Sequence, residues 1–329
     1  MTPRVLSGIQ PTSDSFHIGN HLGALTNWVS MQETHECLYF IADMHAITVE
    51  QEPAQLRERT LLSFAQLLAL GVDPKKSTIF VQSQVAEHAQ FMWVLSCLTG
   101  LGEANRMTQF KDKAAKGGAS GASVGLLTYP ILQAADILLY RPNAVPVGED
   151  QRQHLELTRD LAIRFNGRYG QTLVVPEPHI LKATAKIMDL QDPTAKMSKS
   201  SPAGCVNLLD SLKVTEKKIK SAVTDSDTQI SFDAINKPGV SNLLTILSAY
   251  TGTAIPELVE SFAGRMYGDL KKEVAATVLE FAEPFQNRVF ELMGDRAELE
   301  SLMADGANRA REIAVATVTD VYTKIGFAI

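Results

Sequence analysis

The chain has 329 residues, of which 45% are hydrophobic and 21% are charged, and its formal net charge is -6. This length is typical of about two domains, and the composition excludes a wholly disordered chain. The acidic total also excludes a protein that binds nucleic acid through bulk positive charge. Its three cysteines, Cys37, Cys97 and Cys205, lack CxxC spacing, so we expect neither a disulfide framework nor a zinc site.

The sequence predicts a cytoplasmic protein with no membrane partner. Arg4 is not followed by the apolar run of a signal peptide. The longest uncharged stretch, residues 117–135, is rich in Gly and Ser and contains Pro130. Such a stretch does not predict a membrane-spanning helix.

The first half of the chain alternates apolar strands with helical patterns. Strands are predicted at residues 5–7, 38–42 and 78–81, with helices from about residue 18 and over residues 53–70. Gly71 is expected to terminate the second of these helices. Strands separated by amphipathic helices indicate βαβ units, an α/β fold and a parallel sheet that binds ligand at the carboxyl ends of its strands.

Beyond about residue 200 the strand pattern fades and helices are predicted. They cover residues 208–223, 243–251, 255–263, 270–292 and 300–325. Pro284 is expected to kink or split the fourth of these helices. Residues 196–203 form a polar segment that we interpret as a linker between an α/β domain and a mostly helical region.

The first of four chemically informative clusters lies between the first strand and the first helix. Residues 8–12 leave the strand, and His17, Ile18, Gly19 and Asn20 begin the helix. A helix N-terminus presents free N–H groups to phosphate, and Gly19 permits close approach of a ligand. Taken alone, the pattern is more typical of a capped polar turn.

The second cluster is Lys196, Met197, Ser198, Lys199 and Ser200. Two lysines on a loop between domains suit a mobile clamp on phosphates, since Lys binds phosphate as a point charge. These five residues alone fit a solvated basic linker better.

The third cluster spans residues 129–140. Pro130 suits the first helical position, and Tyr129, Gln133 and Asp136 fall on one helix face. A carboxylate in so apolar a helix needs a partner. Asp136 is therefore either part of an internal salt bridge or cap, or the acceptor for a ligand N–H or O–H.

The fourth cluster spans residues 145–151 and reads as a strand, a glycine turn and a helix start. Its carboxylates, Glu149 and Asp150, fit the capping of the next helix. They also fit binding of ribose hydroxyls or of an ammonium group.

Taken together and in this order, the four clusters resemble class I aminoacyl-tRNA synthetases. The family's HIGH-type signature corresponds to residues 17–20, and its KMSKS signature is complete at residues 196–200. The resemblance is closest to the bacterial tryptophan branch. It extends to residues 43–48, 107–111, 148–151 and 222–226.

The resemblance implies a Rossmann-type catalytic domain at residues 1–200, completed by a C-terminal helix at 290–329, and an inserted helical anticodon-binding domain at 201–289. It also implies a homodimer. The implied reaction activates L-tryptophan with ATP and transfers it to tRNA(Trp), releasing AMP and pyrophosphate.

For the nucleotide, the resemblance implies catalytic roles for Lys196, Lys199, Lys113 and His17. The lysines stabilise the departing pyrophosphate, and His17 contacts phosphate in the transition state. The ATP-binding set further comprises Gln10, Pro11, Thr12, Gly19, Asn20, Gly148, Glu149, Asp150, Ile187, Met197, Ser198 and Ser200. Mg²⁺ is expected on the ATP phosphates, without a metal site made by the protein. Residues 117–123 are either a mobile lid or a plain connector.

For the amino acid, the resemblance implies that Asp136 accepts the indole N–H, which can only donate. The side chains expected to hold the amino acid are Tyr129, Gln133, Gln151 and His45, and those expected to line the ring slot are Val145, Val147 and Leu6. Three positions depart from common family residues. Leu6 stands where some relatives have Phe, Gln133 where some have Met, and His17 where many have Thr.

Three alternatives remain at this stage. The first is the tyrosine branch of the family, which shares the fold and a similar helix at residues 129–136. The second is a non-catalytic tRNA-binding or regulatory paralogue, which would share the fold. The third is a small adenylyltransferase, which would share the start of the first helix. The charge distribution favours a phosphate-rich partner. Residues 106–116 carry a net charge of +3 and residues 182–220 carry +4, so local patches can bind tRNA although the whole chain is acidic.

Overall fold

A computed structural model describes residues 2–107, 123–147, 151–180 and 185–328, with the backbone alone at residues 147 and 178–180. Within these residues, no helix is both long and apolar enough to cross a membrane.

A parallel sheet forms the centre of the α/β part. Its five strands follow the order β3-β2-β1-β4-β5, and every neighbouring pair is parallel. This order is that of a Rossmann-type sheet, which confirms the predicted fold class. The strands are β1 (Arg4–Ile9), β2 (Glu36–Ile41), β3 (Ser77–Val81), β4 (Ala144–Val147) and β5 (Glu177–Ile180).

Helices connect the strands and make up the second half of the chain. In the first half they are α1 (Ile18–Asn20), which continues through a π-helical turn (His21–Leu25) into α2 (Thr26–Met31), then α3 (Asp43–Ala46), α4 (Pro53–Ala69), a 3-10 turn (Gln82–Gln84), α5 (Glu87–Leu98), α6 (Leu101–Arg106), α7 (Val124–Leu139) and α8 (Arg152–Tyr169). In the second half they are α9 (Leu212–Lys220), α10 (Pro238–Thr251), α11 (Ile255–Ser261), α12 (Tyr267–Gly294) and α13 (Arg296–Ile325).

Local sequence explains the ends of α4. Pro53 occupies its first turn, and the Glu52 side chain accepts a hydrogen bond from the amide of Gln55 at 2.7 Å. Gly71 follows the helix with a φ of 98°, a left-handed conformation that glycine adopts without strain. The predicted helix and its terminating glycine are confirmed.

Two hydrophobic cores cover the two faces of the sheet. Alternate residues of β1 face opposite sides, with Val5 in one core and Leu6 in the other. The core containing Leu6 is completed by α5, α7 and α8. The core containing Val5 continues from α2 and α4 into α10 and α12, so it crosses the predicted boundary at residue 200 without interruption.

Pro130 does not occupy the first position of a helix, as expected, and Pro284 does not split its helix. Pro130 lies inside α7, which begins at Val124 after the Ser123 side chain caps the amide of Leu126 at 3.1 Å. Pro284 lies inside α12, which runs as one helix from Tyr267 to Gly294. Proline removes a hydrogen bond inside a helix. Burial of the flanking apolar residues on α7 and α12 offsets this loss.

The long C-terminal helix α13 packs directly on the sheet edge. A β-carbon at Gly306 would lie 1.7 Å from the carbonyl oxygen of Ile79 on β3. Only glycine permits this approach of helix to strand. Ala310 and Ala314, one and two turns further along α13, are fully buried. The predicted C-terminal helix therefore returns to the α/β part of the molecule.

Candidate active site

The candidate site lies where the order of the sheet reverses. β1 and β4 are neighbours, although they are far apart in sequence, and ligands bind at the carboxyl ends of strands at such a point. Gln10, Pro11 and Thr12 follow β1 directly, with Gln10 and Thr12 exposed and Pro11 buried. The predicted site residues Gly148, Glu149, Asp150 and Lys113 lie outside the described residues, as does most of the segment predicted to be a lid.

His17 caps the first helix through a reciprocal pair of hydrogen bonds. The amide of Asn20 donates to His17 Nδ1 at 3.2 Å, and the amide of His17 donates to Asn20 Oδ1 at 3.1 Å. Because Nδ1 accepts, a neutral His17 ring carries its hydrogen on Nε2. The His17 side chain is therefore an N–H donor at the start of α1.

The two sequence signatures meet in space. A β-carbon at Gly19 would lie 3.6 Å from Met197 Cβ and 3.0 Å from His17 Nδ1. The chain around His17 also pairs with the segment that follows the lysines, since the amide of Ile18 donates to the carbonyl of Val206 at 3.0 Å. Residues 17–20 and 196–200 thus form one wall.

The segment at residues 196–200 is anchored more firmly than a linker, which corrects that interpretation. Met197 is buried in the hydrophobic core, and its amide donates to the carbonyl of Ile187 at 3.1 Å. Lys196 and Ser198 are exposed on either side, and Ser198 Oγ lies 3.0 Å from Ser200 Oγ. Burial of Met197 holds residues 196–200 in place, while Lys196 and Ser198 face solvent.

The fold lowers the pKa values of two basic side chains in this wall, His17 and Lys199. Burial, reinforced by the positive charges of Lys199 and Lys196, lowers the pKa of His17 to about 4. Burial also lowers the pKa of Lys199. At neutral pH, His17 is therefore an uncharged donor beside a lysine whose charge is incompletely solvated, an environment that favours an anionic ligand.

Asp136 on α7 is almost fully buried and has three hydrogen-bond donors. Its Oδ2 lies 2.7 Å from His45 Nε2, and its Oδ1 lies 2.8 Å from Gln82 Nε2 and 2.6 Å from His88 Nδ1. Burial alone would raise the pKa of this carboxyl group. The charge of His45 and the hydrogen bonds from His45 and His88 lower it to about 2. The internal network expected as one of the two alternatives for Asp136 is therefore present.

Of the other predicted amino-acid-binding side chains, His45 contacts this carboxylate directly and Tyr129 lies against His45. The Tyr129 ring is 6.3 Å from the His45 ring, and its hydroxyl is 3.0 Å from His154 Nε2. Gln133 Nε2 donates to Gln151 Oε1 at 3.2 Å. Leu6 and Val145 are both buried in the hydrophobic core on one face of the sheet, whereas the Val147 side chain lies outside the described part of the chain.

A family model of class I tRNA synthetases for tryptophan and tyrosine (W and Y) matches residues 1–283. The chain belongs to this family. It is therefore an aminoacyl-tRNA synthetase, an ATP-dependent ligase, as the two signatures indicate. Tryptophan–tRNA ligase 2 of Streptomyces avermitilis is 61% identical over 327 residues, which are 99% of this chain and 97% of that protein. Tryptophan–tRNA ligase of Corynebacterium glutamicum is 60% identical over 326 residues, 98% of this chain and 94% of that protein.

Solved structures agree with this assignment. Tryptophanyl-tRNA synthetase from Mycoplasma pneumoniae is 38% identical with a TM-score of 0.91, covering 100% of this chain and 99% of that one. The Campylobacter jejuni tryptophanyl-tRNA synthetase complexed with ADP and tryptophan is 35% identical with a TM-score of 0.86, covering 98% and 100%. Tyrosyl-tRNA synthetase from Archaeoglobus fulgidus, 21% identical with a TM-score of 0.67 over 87% of this chain and 90% of that one, shares the fold.

The sequence interpretation of this synthetase missed four polar side chains at the site: Gln82, His88, Tyr140 and His154. The first three extend the Asp136 network, and His154 pairs with Tyr129. They lie on different elements, so no spacing connects them. The one available signal is that Tyr140 is a polar residue directly after the apolar end of α7.

Proposed function

We propose that this synthetase activates L-tryptophan with ATP to tryptophanyl-adenylate and pyrophosphate, and then transfers the tryptophanyl group to tRNA(Trp), releasing AMP. The observation that carries the substrate choice is the buried Asp136 carboxylate, an acceptor suited to an indole N–H. The relatives at 61% and 60% identity, both named tryptophan–tRNA ligases, support the same choice.

ATP–pyrophosphate exchange measured with each of the twenty amino acids tests this proposal. We expect tryptophan to drive exchange far better than the other nineteen. A site built around a required hydrogen bond rejects analogues that lack it by a factor on the order of 10⁴–10⁵. Exchange driven by tyrosine and not by tryptophan would overturn the proposal in favour of the tyrosine branch.

For the nucleotide half of the site, we propose that the wall formed by residues 17–20 and 196–200 holds the ATP phosphates. Lys196 and Lys199, with Lys113, stabilise the charge that develops on pyrophosphate, and His17 donates its Nε2 hydrogen to a phosphate oxygen. The low pKa of His17 supports this role, because an uncharged imidazole donates without adding a further cation beside Lys199. Phosphoryl-type transfer depends on such positioning and charge stabilisation, so no general base on the protein is required for activation.

The rest of the proposed nucleotide site surrounds this wall. We assign ATP contacts to Gln10, Pro11, Thr12, Gly19, Asn20, Gly148, Glu149, Asp150, the backbone of Ile187, Met197, Ser198 and Ser200. Mg²⁺ is proposed to bind through the ATP phosphates, where it would neutralise charge on the β- and γ-phosphoryl groups. Within the described residues, no group of three or more His, Cys, Asp or Glu side chains is arranged to hold a metal ion.

For the amino acid, we propose that Asp136 accepts the indole N–H. Tyr129, Gln133, Gln151 and His45 hold the remaining polar groups, and Leu6, Val145 and Val147 line the ring slot. The Gln133–Gln151 hydrogen bond supports a shared role for these two amides. One amide orients the other, and the pair offers a carbonyl oxygen to the ammonium group of the substrate and an N–H to its carboxylate group.

We further propose that the protein is a cytoplasmic homodimer whose helical region, residues 201–289, contacts the tRNA anticodon. Trp93, Leu101 and Val124 are each more than two-thirds exposed, on helices α5, α6 and α7, of which α5 and α6 both pack against α7. Large apolar side chains exposed on packed helices are the kind of surface that a protein interface covers. Sedimentation of Trp93→Glu tests the dimer. A monomeric variant is expected, and a variant that remains dimeric would contradict this choice of interface.

A further inference from the structure

Two fully buried side chains, His88 and Tyr140, lie behind Asp136, and neither belongs to the groups proposed to contact the substrate. His88 is on α5, and Tyr140 directly follows α7. The ring centroids of Phe40 and Phe80 lie 6.1 and 6.0 Å from that of His88. A polar pair in such apolar surroundings is costly unless every donor and acceptor is satisfied.

Hydrogen-bond chemistry fixes the direction of this pair. An ionised carboxylate only accepts, so His88 Nδ1 must donate to Asp136 Oδ1 across their 2.6 Å contact. His88 Nε2 lies 2.8 Å from the Tyr140 hydroxyl. If His88 is neutral, Nε2 accepts from Tyr140, and neither ring leaves a buried hydrogen without an acceptor. The result is a chain of two donors, Tyr140 to His88 and His88 to Asp136.

These hydrogen bonds determine which oxygen of Asp136 is available to a ligand. Each carboxylate oxygen accepts about two hydrogen bonds. Oδ1 already accepts from His88 and Gln82, whereas Oδ2 accepts from His45 alone among the described residues. The remaining lone pair is therefore on Oδ2, on the side of Asp136 that faces His45.

We propose that His88, supported by Tyr140, is a positioning residue for recognition of the amino acid: it saturates Oδ1 of Asp136 and so directs Oδ2 to the substrate N–H. This inference rests on the proposed role of Asp136 as the indole acceptor. His88 does not contact the substrate. It acts by keeping Asp136 an ionised acceptor in one orientation.

Loss of His88 should also change how the site responds to pH. Three groups contact Asp136 directly: His45 on α3, Gln82 on the 3-10 turn and His88 on α5. Further titratable groups lie beyond them, namely Glu87 beside His88, and Tyr129 and Tyr140 of the α7 segment. With one donor fewer, burial favours the protonated carboxyl group. A protonated carboxyl donates a hydrogen bond, so it no longer matches an N–H donor.

The first test compares Tyr140→Phe with Tyr39→Phe, two changes that each remove one buried hydroxyl. Tyr39 is equally buried on the opposite face of the sheet, and its hydroxyl donates to the carbonyl of Trp28 at 2.9 Å. We expect Tyr140→Phe to raise the KM and the equilibrium Kd for tryptophan about 3- to 10-fold, the effect of one hydrogen bond, with a smaller change in kcat. Tyr39→Phe should leave both unchanged. Equal effects of the two variants would overturn the proposal.

The second test uses His88→Leu, which removes the donor, and His88→Asn, whose amide restores a donor near the position of Nδ1. His88→Leu should raise the Kd for tryptophan about 10- to 150-fold and shift the acid limb of kcat/KM for tryptophan to higher pH. His88→Asn should recover part of both losses. A folded His88→Leu protein with the wild-type Kd and pH profile would overturn the proposal, and the comparison of tyrosine variants decides the question if His88→Leu does not fold.

Asp136→Asn separates failure of this inference from failure of the proposed function. If Asp136→Asn weakens tryptophan activation while Tyr140→Phe and His88→Leu do not, only the inference about His88 fails. If Asp136→Asn leaves kcat/KM for tryptophan unchanged, the proposed role of Asp136 fails, and the role of His88 fails with it.

Discussion

The Cβ position of Gly19 lies 3.6 Å from Met197 Cβ, so the two signatures of the family share one packed surface. Met197 is buried in the core, and the lysines beside it take their position from that anchor. The groups proposed to bind phosphate are thereby held by packing at a methionine and by a helix cap at His17, rather than by contacts between the charges themselves.

Replacement of Lys199 by Ala is expected to slow adenylate formation more than it weakens tryptophan binding. In the proposed mechanism the Lys199 ammonium stabilises charge that develops on pyrophosphate, so its loss should lower kcat for ATP–pyrophosphate exchange, on the order of 10²-fold. Steady-state exchange with varied tryptophan measures both constants. Lys75→Ala, at an exposed position, is the control. A rise in the KM for tryptophan larger than the fall in kcat would contradict this role.

Replacement of Asp136 by Ala is expected to lower kcat/KM for tryptophan by about 1.5–3 kcal/mol, which is roughly 10- to 150-fold. The variant loses the proposed acceptor for the indole N–H and leaves the donors of His45, His88 and Gln82 without their shared partner. Asp320→Asn, which changes an exposed carboxylate paired with Arg141, serves as the control. Wild-type kcat/KM in Asp136→Ala would refute the role of this residue.

Stability is expected to fall between pH 7 and pH 5, partly because of His21. Burial lowers the pKa of His21 from 6.5 to about 4 in the folded protein. The unfolded chain therefore binds more protons between these values, and stability is lost as the pH decreases. At pH 5 this one group should cost about 2 kcal/mol relative to pH 7.

Urea unfolding of His21→Gln at both pH values measures this contribution. The variant should lose about 2 kcal/mol less stability than the wild type between pH 7 and pH 5. His35→Gln, which removes a half-buried imidazole elsewhere in the fold, is the control. An unchanged pH dependence in His21→Gln would show that His21 is not the group responsible.

Replacement of Gly306 by Ala is expected to destabilise the protein by about 1–3 kcal/mol, the usual effect of overpacking. The new methyl group would meet the Ile79 carbonyl oxygen, so the backbone of α13 or β3 must shift to accommodate it. Gly268→Ala is the matched control, because that helical glycine has no heavy atom within 4 Å of the added carbon. Thermal unfolding of the two variants gives the comparison, and equal Tm values would contradict the packing argument.

Local sequence patterns determined most of the elements. Pro53 and Gly71 mark the ends of α4, and short apolar runs mark β1, β2 and β3. Lys196–Ser200 and His17–Asn20 identify the family through residue type and order alone. Such features depend on a few neighbouring residues, so one sequence is sufficient to recognise them.

Features that depend on packing between distant segments were decided only by the tertiary structure. Pro130 and Pro284 are accommodated inside helices because apolar burial on α7 and α12 outweighs a lost hydrogen bond. Met197 is an anchor rather than part of a free linker, since its side chain enters a core formed by distant elements.

Asp136 shows the same division between what the sequence determines and what the fold decides. Its sequence context indicated a buried carboxylate that needs a partner, but left open which groups supply it. Its three donors come from α3, the 3-10 turn and α5, which the sheet brings together from separate parts of the chain. Residue types thus determined that an acceptor is present, and only the fold decided which of its oxygens remains available, because hydrogen-bond partners are set by distance in space and not by spacing in sequence.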